Sequence, residues 1–162
     1  MKTKTLIVYY SLTGKTESVA KAIAKTLNAD IKKIEEVKRR KGLFGFINGG
    51  YCARKGKCSE IKPMDFNLDN YDIIFLGTPV WASRSAPAVN TFISKANFND
   101  KKVIIFVTMG STGDKGAIKV LTNAVESKEG KIINSFAIRT GRIKSKEIIK
   151  HGEDIGKQYI DK

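Results

Sequence analysis

Three stretches of this 162-residue chain put hydroxyls, glycines and a single indole directly after apolar runs. The first is Ser11-Leu12-Thr13-Gly14-Lys15-Thr16, between the run Thr5 to Tyr10 and a helical pattern. Hydroxyls at Ser11, Thr13 and Thr16, with the free N–H groups of a helix start, suit a phosphate monoester. Gly14 lets the backbone approach such a group closely. Taken alone, the stretch also reads as an ordinary serine/threonine N-cap. Gly14-Lys15-Thr16 matches the tail of a nucleotide P-loop, but that motif needs a glycine five positions before Gly14, where Tyr9 stands.

The second stretch, Gly77 to Pro87, holds the only tryptophan, Trp81, with Thr78, Pro79 and Val80 before it. An indole on such a loop can cover a flat aromatic ring; it can equally be simple packing. Ser83 and Ser85 are placed to help start the next helix. The third, Thr108 to Asp114, has two glycines and three hydroxyls. It can turn backbone N–H groups toward the polar edge of a ring, or serve as a plain connection with Asp114 as a cap.

These loops need elements to hold them. Thr5 to Tyr10 (TLIVYY), Asp72 to Gly77 (DIIFLG) and Lys102 to Thr108 (KVIIFVT) are continuous apolar runs of the kind buried on both faces of a parallel sheet. Asp30 to Val37 alternates less cleanly and reads as an edge strand; Lys131 to Arg139 reads as the last strand. Val19, Ile23 and Leu27 mark one face of a helix over Lys15 to Leu27. Further helices are expected at Ala86 to Ala96 with Pro87 in the first turn, Gly116 to Val125, and Ser145 to Ile160, capped by Ser145 with Glu147 nearby. Strand-then-helix alternation predicts a single α/β domain over residues 1–162, a doubly wound parallel sheet with helices on both faces. In such sheets ligands sit beyond the carboxyl ends of the strands, where the three loops converge. The glycine-rich stretch Arg39 to Pro63 breaks the alternation and reads as a loop with a short helix over part of the site.

The bulk properties bound the function. Thirty Lys and Arg stand against sixteen Asp and Glu, a net charge of +14. Nine basic and two acidic residues fall between Lys32 and Lys57, a net of +7 and so half of that total. Such charge suits nucleic acid, an anionic membrane or an acidic protein partner, or simply solvates one face. No run reaches the length of a membrane span, and Leu6 to Tyr10 is too short for a secretory signal, so a cytoplasmic location is expected. Cys52 and Cys58 are too few for a disulfide framework or, without companions, a zinc site. Cys52 and Cys58 also lack the arginine of a phosphatase loop, and no acidic cluster follows the first strand as in a response-regulator receiver. His151, the only histidine, is expected on the surface or in packing. No general-base pair is evident, so any catalysis would rest on a cofactor.

Ser11-x-Thr13-Gly14-x-Thr16 after a β-run resembles the phosphate-binding loop of flavodoxins. Thr78-Pro79-Val80-Trp81-Ala82 resembles the first ring-binding loop of that family, and Thr108-Met109-Gly110-Ser111-Thr112-Gly113 sits where the second falls. The resemblance implies a five-stranded sheet of order 2-1-3-4-5 and non-covalently bound FMN. It implies that Ser11, Thr13, Gly14, Lys15 and Thr16 hold the phosphate. Thr78, Pro79, Val80 and Trp81 would lie along the ribityl chain and one ring face, with Ser111, Thr112 and Gly113 at the pyrimidine edge. The second ring loop lacks the tyrosine of the acidic electron carriers. The closer likeness is to the wider group that includes quinone and other flavin-linked reductases. The implied function is electron transfer to a redox partner protein; the electron carriers of the family are acidic whereas this chain is basic, and that basic charge would suit an acidic partner. The alternatives are an NAD(P)H:quinone-type oxidoreductase acting on a small quinone-like substrate, and a non-flavin module for acidic partners. Nucleic acid is not expected as a partner.

Overall fold

A computed structural model describes residues 3–41, 45, 47 and 58–160. The continuous apolar runs become the central strands. β1 (Thr5–Tyr10), β3 (Ile73–Trp81) and β5 (Lys102–Met109) lie side by side, parallel, and almost wholly buried. β2 (Asp30–Ile34) pairs with β1 at one edge, and β6 (Lys131–Arg139) pairs with β5 at the other. The two-residue β4 (Arg84–Ser85) folds back antiparallel on β3. The sheet order is β2-β1-β3-β5-β6; with β4 set aside, the five parallel strands run 2-1-3-4-5 as predicted.

Helices α1 (Lys15–Leu27) and α4 (Ser145–Lys157) cover one face, and α2 (Pro87–Lys95) and α3 (Asp114–Glu126) the other. Side-chain alternation along the strands divides the core accordingly. Leu6, Val8, Ile74 and Leu76 join Phe92 and Leu121 under α2 and α3, whereas Ile7, Phe75, Ile104 and Phe106 join Val19, Ile23 and Ile155 under α1 and α4. Each such buried side chain contributes about 1.5–3 kcal/mol. Gly77 has no substitute in this core, because a Cβ there would run into the Phe106 ring.

Several boundaries differ from the sequence reading. β2 stops at Ile34, not Val37; the chain then leaves the sheet, and Glu36 bridges Ile61 instead. β3 runs on through Trp81, where a loop was expected after Gly77, because the β4 hairpin gives Val80 and Trp81 antiparallel partners. α2 and α4 are shorter at their ends than expected. The caps of α3 and α4 fall one residue earlier than read, at Gly113 rather than Asp114 and at Lys144 rather than Ser145. The Lys144 N–H donates to the Glu147 carboxylate at 2.8 Å, so the glutamate satisfies the helix entry. Among the described residues, no helix is long and apolar enough to cross a membrane.

Candidate functional site

The carboxyl ends of β1, β3, β5 and β6 bring four loops to one edge of the sheet. In the first loop, Ser11 Oγ accepts from the Gly14 N–H at 3.1 Å and closes a tight turn. Gly14 takes a left-handed φ of 92° as the N-cap of α1 and provides no side-chain cap. The Gly14 carbonyl starts the helix by accepting from the Ser18 N–H at 2.9 Å. The N–H groups of Lys15, Thr16 and Glu17 therefore have no partner within α1. A Cβ at Gly14 would meet nothing within 4 Å, so the space above the helix start is open.

The predicted phosphate residues occupy different places around this start. Thr13 and Lys15 are exposed. Lys15 Nζ donates across the edge to the Thr140 carbonyl at 3.2 Å. Thr16 is buried, and its hydroxyl lies 2.7 Å from that of Thr108 at the end of β5. Thr16 thus clamps the loop to the sheet by its side chain and offers the edge only its backbone. Glu17 places a carboxylate in the same helical turn, where it would oppose an anion. Hydrogen bonds from Lys21 and Lys33, at 2.6 and 2.9 Å, hold its carboxyl below the usual value and offset its charge.

The second loop is a strained hairpin. Ala82 and Ser83 turn with φ of 48° and 59°, the left-handed pair of a type I′ turn without the usual Asn-Gly. Left-handed backbone at a non-glycine residue costs about 1–3 kcal/mol and persists where the surroundings hold it. Here the third loop holds it. A Cβ on Gly113 would come within 2.9 Å of Val80 Cγ1, and one on Gly116 within 2.7 Å of the Ser83 carbonyl. Thr78 is fully buried, and its hydroxyl accepts from the Ala86 N–H at 3.0 Å, fixing the return into α2. Ser85 does not cap α2; its hydroxyl donates to Asn90 Oδ1 at 2.7 Å. Pro79 and Val80 are half-buried at the edge.

Trp81 points inward, with 5% of its surface exposed. Tyr10 meets it edge-on at 5.7 Å, and the Arg40 guanidinium lies 5.6 Å from its ring centroid. Glu36 ties both neighbours together, accepting from the Tyr10 hydroxyl at 2.8 Å and from Arg40 Nε at 3.0 Å. Burial and the Glu36 carboxylate push the Tyr10 hydroxyl well above its ordinary pKa, so it stays a neutral donor. Burial likewise raises Tyr9 to about 12.

In the third loop, Ser111 and Thr112 are exposed and Gly113, at φ 102°, is the N-cap of α3 with no side-chain cap. A Cβ on Gly110 would meet nothing within 4 Å. Two helices thus start on this edge in the same way, each behind a left-handed glycine, with open space at Gly14 in the first loop and at Gly110 in the third.

The fourth loop, residues 140–144, was not singled out from the sequence. Thr140 is buried and donates to the Met109 carbonyl through its N–H at 2.8 Å and its hydroxyl at 3.2 Å. A Cβ on Gly141 would lie 2.5 Å from the Gly110 carbonyl, so this loop packs directly on the third. Its signal was available: Thr140-Gly141 follows a strand with the same small, hydroxyl-bearing character as the other three loops.

Between the first loop and the end of β2 lies a cavity of about 490 Å³, lined by Ser11, Thr13, Gly14, Glu36, Arg39 and Arg40 among others. Most of the stretch expected to cover the site falls outside the described residues, Cys52 with it. Cys58 is exposed with a free thiol, and His151 is exposed on α4. Among the described residues, no group of His, Cys, Asp or Glu could hold a metal ion.

The chain is 29% identical over 161 residues to the flavodoxin-like domain-containing protein BilS of Clostridioides difficile (strain CD3), covering 93% of this chain and 77% of that one. It shares its fold with a flavoprotein from Lactobacillus acidophilus NCFM solved in complex with FMN, at TM-score 0.72 and 23% identity over 84% of this chain and 93% of that one. Oxidised flavodoxin 2 from Bacillus cereus superimposes at TM-score 0.61 with 18% identity, covering 94% of each chain. The sequence profile described as Flavodoxin matches residues 53–148, from before β3 into α4. That match takes in the second, third and fourth loops and more than half of the chain, which belongs to the flavodoxin family.

Proposed function

We propose that this chain binds FMN non-covalently at the four-loop edge and passes electrons through it. The carrying observation is a pair of helix starts on one edge, each behind a left-handed glycine with no side-chain cap, with open space at Gly14 in the first loop and at Gly110 in the third. The first suits a phosphate dianion and the second an electron-rich ring edge, as a flavin mononucleotide presents. The FMN carried by the Lactobacillus acidophilus flavoprotein of like fold supports the same ligand. When bound, FMN supplies the capacity to take up and release electrons one or two at a time.

The chain's own residues then divide the work. The N–H groups of Lys15, Thr16 and Glu17 and the Thr13 hydroxyl hold the phosphate, and Lys15 adds a cation beside it. The Thr16–Thr108 and Thr140–Met109 bonds fix these loops before ligand arrives, so little ordering is left for binding to cost. Ser111, Thr112 and Gly113 give hydrogen bonds to the ring edge. The hairpin Val80–Ser85 lies along the ribityl chain and keeps water from one side.

FMN should bind far more tightly than riboflavin, because the first loop serves the phosphate. Thr13→Ala removes a charge-assisted hydrogen bond of about 1.5–3 kcal/mol and should weaken FMN about tenfold or more without affecting riboflavin. Flavin-fluorescence titration measures both. Equal affinities for FMN and riboflavin would overturn the assignment.

A further inference from the structure

The net charge of +14 is unevenly distributed along the strand direction. At the amino edge of the sheet, Lys4, Lys101, Lys102, Lys128 and Lys131 stand against Asp30, Asp69, Asp72, Asp100 and Glu129, and the charges cancel. On the β5–β6 side of the carboxyl edge, Arg84, Lys115, Arg139, Arg142 and Lys144 stand against Asp114 and a Glu147 already engaged at the start of α4. Among the described residues, none of those five cations forms an ion pair. Arg139, Arg142 and Lys144 flank the place where the fourth loop packs on the third, Gly141 against Gly110, and Arg84 and Lys115 adjoin the contact of Ser83 with Gly116.

We infer that this face, centred on Arg139, Arg142 and Lys144 with Lys115 and Arg84 beside it, docks an acidic redox protein at the exposed edge of the flavin site. The inference rests on the proposed FMN site, since a partner on these loops exchanges electrons only if the flavin lies under them. Charge placed at one end of the sheet orients an acidic partner toward that end before contact. Neither residues 110–113 nor 140–144 include an aromatic residue on which a nucleic-acid base could stack. Ile143, the one large apolar side chain among them, packs inward on the core and is not presented to a lipid surface.

The test uses the FMN-loaded chain and a fluorescently labelled plant-type [2Fe–2S] ferredoxin as the acidic probe, with binding read by anisotropy. The triple variant Arg139→Glu/Arg142→Glu/Lys144→Glu should weaken binding about tenfold or more, and wild-type binding should fall similarly toward about 0.3 M salt. A control of equal charge change at exposed positions elsewhere, Lys25→Glu/Lys102→Glu/Lys131→Glu, should stay within about threefold of wild type. Thermal melts check that both variants fold, and the Arg→Gln and Lys→Gln versions replace any that does not. Equal loss in both triples, or no loss in either, overturns the inference. So does stronger face-dependent binding to duplex DNA or phosphatidylserine vesicles than to ferredoxin. Because anisotropy needs no flavin, a chain that takes up no FMN yet keeps this pattern would sink the FMN reading and leave the docking face standing.

Discussion

The two flanks of the site use the same residue types in opposite ways. On the β2 flank four cations are spent internally: Lys33 on Glu17, Arg40 on Glu36, Lys62 on Glu35 and Lys32 on Asp65. On the β6 flank Arg139, Arg142 and Lys144 pair with no acid. The described start of the richest basic run in the sequence, Lys32 to Lys41, lies on the first flank; Lys32, Lys33 and Arg40 are paired there, while Lys38, Arg39 and Lys41 pair with no acid among the described residues. Local charge density in the sequence therefore overstates what the β2 flank offers; what remains for a partner is the charge left over after folding.

The largest effect expected from this contrast is at Glu36. Its carboxylate and the Arg40 guanidinium have side-chain exposures of only 4% and 10%. Removing one member of a buried pair costs about 3–5 kcal/mol, because the other charge is left stranded. Glu36→Ala should lower urea stability by that much and shift Trp81 emission toward the red. A loss below about 1 kcal/mol would show that the β2 flank is no better tied than an exposed ion pair.

A smaller effect belongs to Glu17, whose carboxyl the lysines hold below its ordinary value of 4.5. A depressed folded value means the stabilisation is complete above the unfolded value and fades as pH falls through the folded one. At its partial exposure the contribution is at most about 1 kcal/mol. Glu17→Gln should therefore lower stability slightly at neutral pH and flatten its decline below about pH 4.5, in urea melts across that range. An identical acid slope in the variant would remove Glu17 from the paired set.

The smallest effect is the most diagnostic. Arg142→Gln and Lys144→Gln should each change stability by no more than about 0.5 kcal/mol, since nothing internal depends on them. A loss approaching that of Glu36→Ala would erase the distinction between the flanks.

The central strands were legible because burial on both faces demands unbroken apolar runs, as in Thr5 to Tyr10 and Lys102 to Thr108. The hairpin at Ala82-Ser83 was not, because neither residue signals a left-handed turn; contacts with Gly113 and Gly116, some thirty positions later, hold it there. The candidate phosphate and ring loops could be found by composition and spacing. The inward turn of Trp81 could not, since Tyr10, Glu36 and Arg40 reach it from well before it in the chain. Thr16 reads as a ligand hydroxyl in sequence and acts as a clamp in the fold, because only tertiary structure brings Thr108 beside it.

The contact between α1 and α4 bears on how the protein is made. Gly152 sits against Val19 and Ala22, and Gly156 against Thr26, so the two helix backbones meet where any side chain would push them apart. Ile148, Ile155 and Tyr159 complete the cover over Val19 and Ile23. During synthesis, the helix that follows the first loop leaves the ribosome more than a hundred residues before the segment that shelters its apolar face. Until residues 145–159 emerge, that face is exposed and the nascent chain has cause to recruit a chaperone. Ligand-ready geometry at Gly14 is thus a late event in the life of the chain, although its residues are among the first made.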